Sequence, residues 1–316
     1  MKRFIAIALM AAMSLSMVAC SNSGSSSKAS GDAKVGVSVS ASVEGEAEKA
    51  TFGAVYAAVM VDSNGKIIAC DIEETQIKPS IADGTVGEVD LRTKTEKQGD
   101  YGMAGASGIG KEWYEQAEAF EKYVVGKTAA EVRAIPVTDG KTTDADLAAG
   151  CTITVTGFID AVASAAESAS VTVGASDKLG LAVTSADASK EDSVAYNTEF
   201  CAVTVGSDGK VTSCQIDALQ GKLPIVDGAF DIDSAKHTSK KQLGEDYGMR
   251  GSSAIGKEWF EQAAAFETYV TGKTADEVSK TAVTDGKASD ADLSAGCTIT
   301  VSSILANTEK AIAAAK

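Results

Sequence analysis

The chain is 316 residues long, enough for two domains of ordinary size, and carries a formal net charge of −15 at pH 7. Such acidity repels phosphate backbones and argues against a nucleic-acid partner. A single histidine, His237, and the lack of any CxxC or CxxCH pattern speak against zinc, haem-attachment and iron–sulfur sites and leave little for general acid–base catalysis.

In chain order, MKRFIAIALMAAMSLSMVAC opens with Lys2 and Arg3, runs on as an apolar stretch from Phe4 and closes on small residues before Cys20. That pattern predicts a secretory signal peptide over residues 1–19, too short and wrongly flanked for a membrane span. Met17-Val18-Ala19-Cys20 resembles a bacterial lipobox, in which the cysteine becomes the lipidated first residue; Met17 stands where leucine is more usual. Residues 20–33 then read as lipidated Cys20 followed by a flexible Ser/Gly tether. The expected location is extracytoplasmic, lipid-anchored to the bacterial cell membrane, with plain secretion as the alternative. Without the positives of Lys2 and Arg3 the mature chain lies near −17, so attachment is expected from the lipid and not from a basic face.

Six cysteines are present. With Cys20 on the lipid, Cys70, Cys151, Cys201, Cys214 and Cys297 are odd in number and cannot all pair within the chain; buried reduced thiols are the expectation.

The body of the chain repeats itself. GKEWYEQAEAFEKYVVGKTAAEV from Gly110 returns as GKEWFEQAAAFETYVTGKTADEV from Gly256, an offset of 146. VDSNGKIIACDI from Val61 returns as VGSDGKVTSCQI from Val205, an offset of 144, so two residues are inserted between these blocks in the second copy. Units of this size are duplicated domains and not a short-period solenoid. The expected units are residues 34–170 and 171–316.

Within each unit, KVGVSVSASV alternates like a strand, and FGAVYAAVMV and KIIACDI flank Asn64-Gly65, predicting a tight hairpin with positive φ at both residues. Trp113, Ala117, Phe120 and Val124 share one face of a helix from about Lys111, which Gly126 ends. DADLAAGCTITV, from Asp144, then leads into the helix FIDAVASAA, and DADLSAGCTITV does the same from Asp290. Strands first and helices packed on one side predict an α+β fold, twice.

These blocks, in this order, resemble the FMN-binding domain family, the extracytoplasmic flavin carriers of the sodium-pumping NADH:quinone reductase and of Rnf electron-transport complexes. The resemblance rests on Asn64-Gly65-Lys66-Ile67, Glu74-Thr75, Tyr101-Gly102-Met103, the helix with Trp113, Gly126-Lys127, and Asp146 through Gly150-Cys151-Thr152-Ile153-Thr154. The second copy offers Asp208-Gly209-Lys210-Val211, Tyr247-Gly248-Met249, Trp259, Gly272-Lys273, and Asp292 through Gly296-Cys297-Thr298-Ile299-Thr300.

By that resemblance Thr154 and Thr300 would carry FMN through a phosphoester, installed by a separate flavin transferase using magnesium. The chemistry agrees: a phosphate just before a helix meets free backbone N–H groups and the positive end of the helix dipole. Gly150 and Gly296 are expected to let the backbone come close, and Thr152 and Thr298 to donate hydroxyls to phosphate oxygens. Glu74 and Thr75 are expected near the ring or its ribityl chain; Trp113 and Trp259 read as core anchors. The sequence departs from the family at Ala149, Cys151 and Val155, and again at Ala295, Cys297 and Val301. Ala218 and Leu219 fill the places of the Glu-Thr pair in the second copy, which makes the first site the stronger one.

The expected function is a membrane-anchored flavoprotein relaying electrons between redox partner proteins or a quinone-linked donor, a carrier more than an enzyme with its own substrate. The alternatives are a flavin-free structural or ligand-binding surface lipoprotein that kept the fold, and a reductase for a soluble acceptor.

Overall fold

The computed structural model describes residues 31–83 and 85–316. The expected signal peptide, Cys20 and the tether up to residue 30 lie outside the described residues.

The fold is α+β. Strands β1 (Asp32–Glu46), β2 (Lys49–Val61) and β3 (Ile67–Ile77) form an antiparallel meander. Helix α1 (Trp113–Val124) and, after two short helical turns and a small hairpin, helix α2 (Thr156–Ser168) follow. Strand β4 (Val171–Gly174) then runs beside β1, so the first sheet has the order β3-β2-β1-β4. The boundary expected at residue 171 thus falls at a strand that joins the first sheet, because the outer edge of β1 offers free backbone groups there. The same order of three strands and two long helices runs again through β5 (Lys178–Asp187), β6 (Ser193–Val205) and β7 (Val211–Val226), and then helices α3 (Trp259–Val270) and α4 (Ser302–Ala314). Strand β8 (Lys236–Ser239), which pairs with β7, has no strand counterpart among the described residues of the first half.

Strand β2 explains how the layers stack. Its residues are apolar on both faces, which is the mark of a strand covered on both sides. Val55, Ala57, Val59 and Val61 face α1 and α2, together with Trp113, Phe120, Phe158 and Val162. Ala54, Tyr56, Ala58 and Met60 face the second sheet, where they meet Leu179, Leu181, Phe200 and Leu219. On β6, Cys201, Val203 and Val205 turn to α3 and α4 while Phe200 and Ala202 turn inward. The result is helices, sheet, sheet, helices, with the Tyr56 and Phe200 rings 5.0 Å apart at the centre.

Polar groups stitch the two sheets. The edge N–H of Leu181 donates to Asp71 Oδ2 at 3.1 Å, and Gln215 Nε2 donates to the Val35 carbonyl at 3.1 Å. His237 packs edge-on against Phe52 and donates from Nδ1 to the Ser42 carbonyl at 3.0 Å.

The β2–β3 hairpin differs in one detail from the expectation. Only Gly65 takes positive φ (73°); Asn64 does not, and the ladder shifts register between Met60 and Val61. Asp62 makes this turn, its Oδ1 accepting the N–H groups of Asn64 and Lys66. Two other glycines answer to packing. A Cβ on Gly36 of β1 would collide with the Ala165 carbonyl near the end of α2, and one on Gly180 of β5 with the Ala311 carbonyl of α4.

Replacing Gly36 or Gly180 by alanine is expected to cost about 2–3 kcal/mol, since the blocking atoms are backbone; tolerance within 0.5 kcal/mol in urea unfolding would contradict this packing. Burial lowers His237 to about pKa 4 in the folded state. The unfolded chain therefore binds a proton that the folded chain does not between pH 6.5 and pH 4, so this contribution is complete above pH 6.5 and is lost on acidification. The stability advantage of the wild type over His237→Phe should shrink by roughly 2 kcal/mol from pH 7 to pH 4, after allowing for partial exposure of the ring. A pH-independent gap would refute a buried neutral imidazole.

Candidate functional site

Most short helices of this chain start on a side-chain cap: Thr93, Thr128, Asp144, Ser239, Thr274 and Asp290 each accept a backbone N–H of the first turn. The long helices α2 and α4 do not. They begin after Val155 and Val301, whose side chains cannot cap; α2 leaves the N–H groups of its first turn open at the positive end of the dipole, whereas in α4 the Ser302 N–H donates to the Gly286 carbonyl at 3.3 Å.

The GCTIT segment in front of α2 is not a strand. It is pinned at Cys151 near its start and by Val155 directly after it, both fully buried in the core. Gly150 lies against Ala119, whose methyl a Cβ on Gly150 would meet at 2.9 Å. Gln116, wholly buried on α1, accepts from the Thr152 N–H (2.8 Å) and from its Oγ1 (3.1 Å), and donates from Nε2 to Ser107 Oγ and the Lys111 carbonyl. Thr154 is left exposed, bridged to Lys141 of an Asp139-Gly140 hairpin. Both turn residues take positive φ there (51° and 78°), as a type I′ turn requires, and the Gly140 carbonyl accepts the Val155 N–H at 2.8 Å.

Thr154 borders a cleft of about 850 Å³, within the range of roughly 300–1,000 Å³ of small-ligand sites. The far wall is an ion pair. Glu74 of β3 accepts from Lys94 Nζ at 2.6 Å and from Trp113 Nε1 at 3.0 Å. Lys94 is 6% exposed and its ammonium lies 4.9 Å from the Tyr101 ring centroid and 5.4 Å from that of Trp113. Tyr101 in turn donates its hydroxyl to Gln76 Oε1 at 3.2 Å. Behind this wall Glu73, raised by burial to about pKa 7, accepts from Thr93 Oγ1 at 2.9 Å and holds the helical turn that delivers Lys94.

Of the residues singled out from the sequence, the cleft gathers Thr154, Thr152 and Glu74, and Tyr101, Met103 and Trp113 line it as well. Thr75 lies elsewhere: neighbours on a strand point to opposite faces, and its side chain is buried between the sheets, 3.3 Å from the Tyr56 hydroxyl. Gly150 packs against α1, and the Cys151 thiol, pushed by burial to about pKa 11, belongs to the core. Asp146 sits exposed on the helical turn Ala145–Ala148, outside the cleft lining, and Asp292 is its match on Ala291–Ser294. The Thr152 hydroxyl, expected on a phosphate, is engaged by Gln116.

The second half repeats this frame. Thr300 is exposed and bridged to Lys287, Gln262 holds Thr298 by the same two bonds, Gly296 lies against Ala265, and Cys297 is buried in the core. The sequence reading passed over Gln116 and Lys94. Both signals were present, because Gln262 and Lys240 occupy the same places 146 residues on. Among the described residues, no group of three or more His, Cys, Asp or Glu side chains could hold a metal ion, and no helix is long and apolar enough to cross a membrane.

Compared with known proteins, the chain is 30% identical over 104 residues to the chlorophenol reductase of Desulfitobacterium hafniense. That match covers 29% of this chain and 32% of the reductase, so the chain spans about a third of that relative's length. No family model matches the chain, and no solved structure matches it.

Removing the Glu74 carboxylate would strand the buried Lys94 ammonium and the Trp113 N–H. Glu74→Ala should cost about 3 kcal/mol in chemical denaturation, and Glu74→Ala with Lys94→Met should recover most of it. Additive losses would show that the pair is not coupled.

Proposed function

We propose that this protein is a membrane-anchored extracytoplasmic flavoprotein that carries FMN on Thr154 and relays electrons. One observation carries the reading: an exposed threonine at the open mouth of a long helix, giving onto a cleft of small-ligand size. The open N–H groups of the first turn of α2 suit a phosphodiester oxygen, and the helix dipole favours its charge. Of the departures from the family pattern, Val155, which lacks a hydroxyl, and Cys151, which adds a sulfur, point into the core, and Ala149, which also lacks a hydroxyl, is not among the residues lining the cleft. Gln116, by holding Thr152, fixes the direction in which Thr154 projects. The wall of Glu74, Lys94, Trp113 and Tyr101 offers aromatic surface and a hydrogen-bonded ion pair to a planar heterocycle.

Bound FMN would supply the redox chemistry, and the chain its position, solvent access and potential. Attachment requires an activated flavin donor, a phosphoanhydride. The Thr154 Oγ1–P bond forms, the P–O–P bond breaks, a nucleoside monophosphate leaves and the hydroxyl proton passes to solvent. A magnesium-dependent flavin transferase is the expected catalyst. The name of the partial relative, a reductase, supports a redox reading. Lipid at Cys20 would hold the protein at the bacterial cell membrane beside a redox partner protein or quinone-linked donor.

The full chain is to be co-expressed with a flavin transferase, then denatured and examined by ultraviolet in-gel fluorescence and intact mass. A fluorescent band with the mass of one FMN ester, abolished by Thr154→Val, is expected. An unmodified mass beside a working transferase would favour a flavin-free ligand-binding or structural lipoprotein.

A further inference from the structure

The two halves present the same threonine at the same helix mouth, yet they differ at one cross-strand pair. In the first sheet Val55 of β2 stands opposite Glu74 of β3. In the second sheet the matching pair is Glu199 of β6 opposite Ala218 of β7. The carboxylate has changed strands and, while the equivalent lysine still acts on it, its hydrogen-bond partner has changed.

Glu74 turns to Lys94 and Trp113 at the far wall of the cleft. Glu199 Oε1 instead accepts the Ser303 hydroxyl at 2.9 Å. Ser303 belongs to the first turn of α4, three residues beyond Thr300. Its counterpart is Gly157, in the first turn of α2, where a Cβ would stand 3.0 Å from Val55 Cγ2. Val55 and Gly157 both line the first cleft. Where the first half has a methyl-bearing side chain and a bare Cα, the second has a carboxylate bonded to a hydroxyl. Lys240, the counterpart of Lys94, holds its ammonium over the rings of Tyr247 and Trp259, at 5.2 and 5.1 Å; Ala218 offers it no carboxylate, and its charge acts on Glu199 of the facing strand instead.

We infer that Glu199 and Ser303 are specificity-determining residues that keep a phosphate-bearing ligand away from the second helix mouth, so that FMN sits on Thr154 alone and Thr300 remains a free hydroxyl. The inference rests on the flavin reading of Thr154. Two physical effects act together. A carboxylate hydrogen-bonded into the first turn of α4 repels a second anion at that helix mouth, an effect that Lys240 offsets only in part, in a half-buried site where water screens poorly. Its side chain, with that of Ser303, also fills space that Val55 and Gly157 leave open.

Grafting the first half's residues into the second tests this. The full chain, the Glu199→Val/Ser303→Gly variant and the same variant with Thr300→Val are each co-expressed with a flavin transferase and weighed intact. The wild type should carry one FMN ester. The graft should carry two, and Thr300→Val should return it to one. A gain of mass cannot arise from misfolding. The reverse graft, Val55→Glu/Gly157→Ser, with its fold verified by circular dichroism, should lower occupancy at Thr154 at least tenfold. A wild-type chain with two esters, or a graft that stays at one, overturns the inference and leaves the reading of Thr154 standing. A wild-type chain with none overturns both.

Discussion

The constraint on which this structure depends is that strands β2 and β6 are buried on both faces. Each must satisfy two cores with one sequence, and the period of two along a strand divides the work. Val55, Ala57, Val59 and Val61 serve the helices; Ala54, Tyr56, Ala58 and Met60 serve the opposite sheet. Desolvation of these faces is the dominant favourable term in such a fold, and it leaves each sheet open to solvent only near its edges and strand ends. The cleft forms at such a place, where the helix-facing side of β2 and β3 runs past the start of α2.

Buried polar groups then decide geometry more than stability. Gln116 and Gln262 are wholly buried, and each spends its amide on the segment that carries a threonine to the helix mouth. Glu121 accepts the Ile72 N–H and Glu267 the Ile216 N–H, each at 2.8 Å, tying α1 to β3 and α3 to β7. Burial pushes up the thiols of Cys70, Cys151 and Cys297, and the contact with Cys201, followed by burial, pushes up that of Cys214, which keeps them protonated and unreactive. The hydroxyl of Thr154, by contrast, is exposed at the border of the first cleft.

One scaffold used twice need not do the same thing twice. The frame around Thr300 matches that around Thr154 in its hairpin, its glutamine and its uncapped helix. The difference lies in which of two facing strands carries a carboxylate, a change that leaves the fold intact and alters the site.

The amino-acid sequence by itself determined the local elements and their repetition. Alternation and turn residues marked the hairpins, the spacing of Trp113, Ala117, Phe120 and Val124 marked a helix, and all four side chains are buried as that spacing requires. These signals are local, set by backbone geometry over a few residues. Tertiary structure alone decided that the two sheets stack face to face, that residues 171–174 close the first sheet, and that Glu74 reaches the cleft while Thr75 does not. It also decided that Glu199 takes a place no linear alignment with Glu74 could reveal, because its match is across the ladder and not along the chain. Continuous apolar runs such as FGAVYAAVMV fit either a buried strand or a helix, and only long-range contacts settle what covers each face.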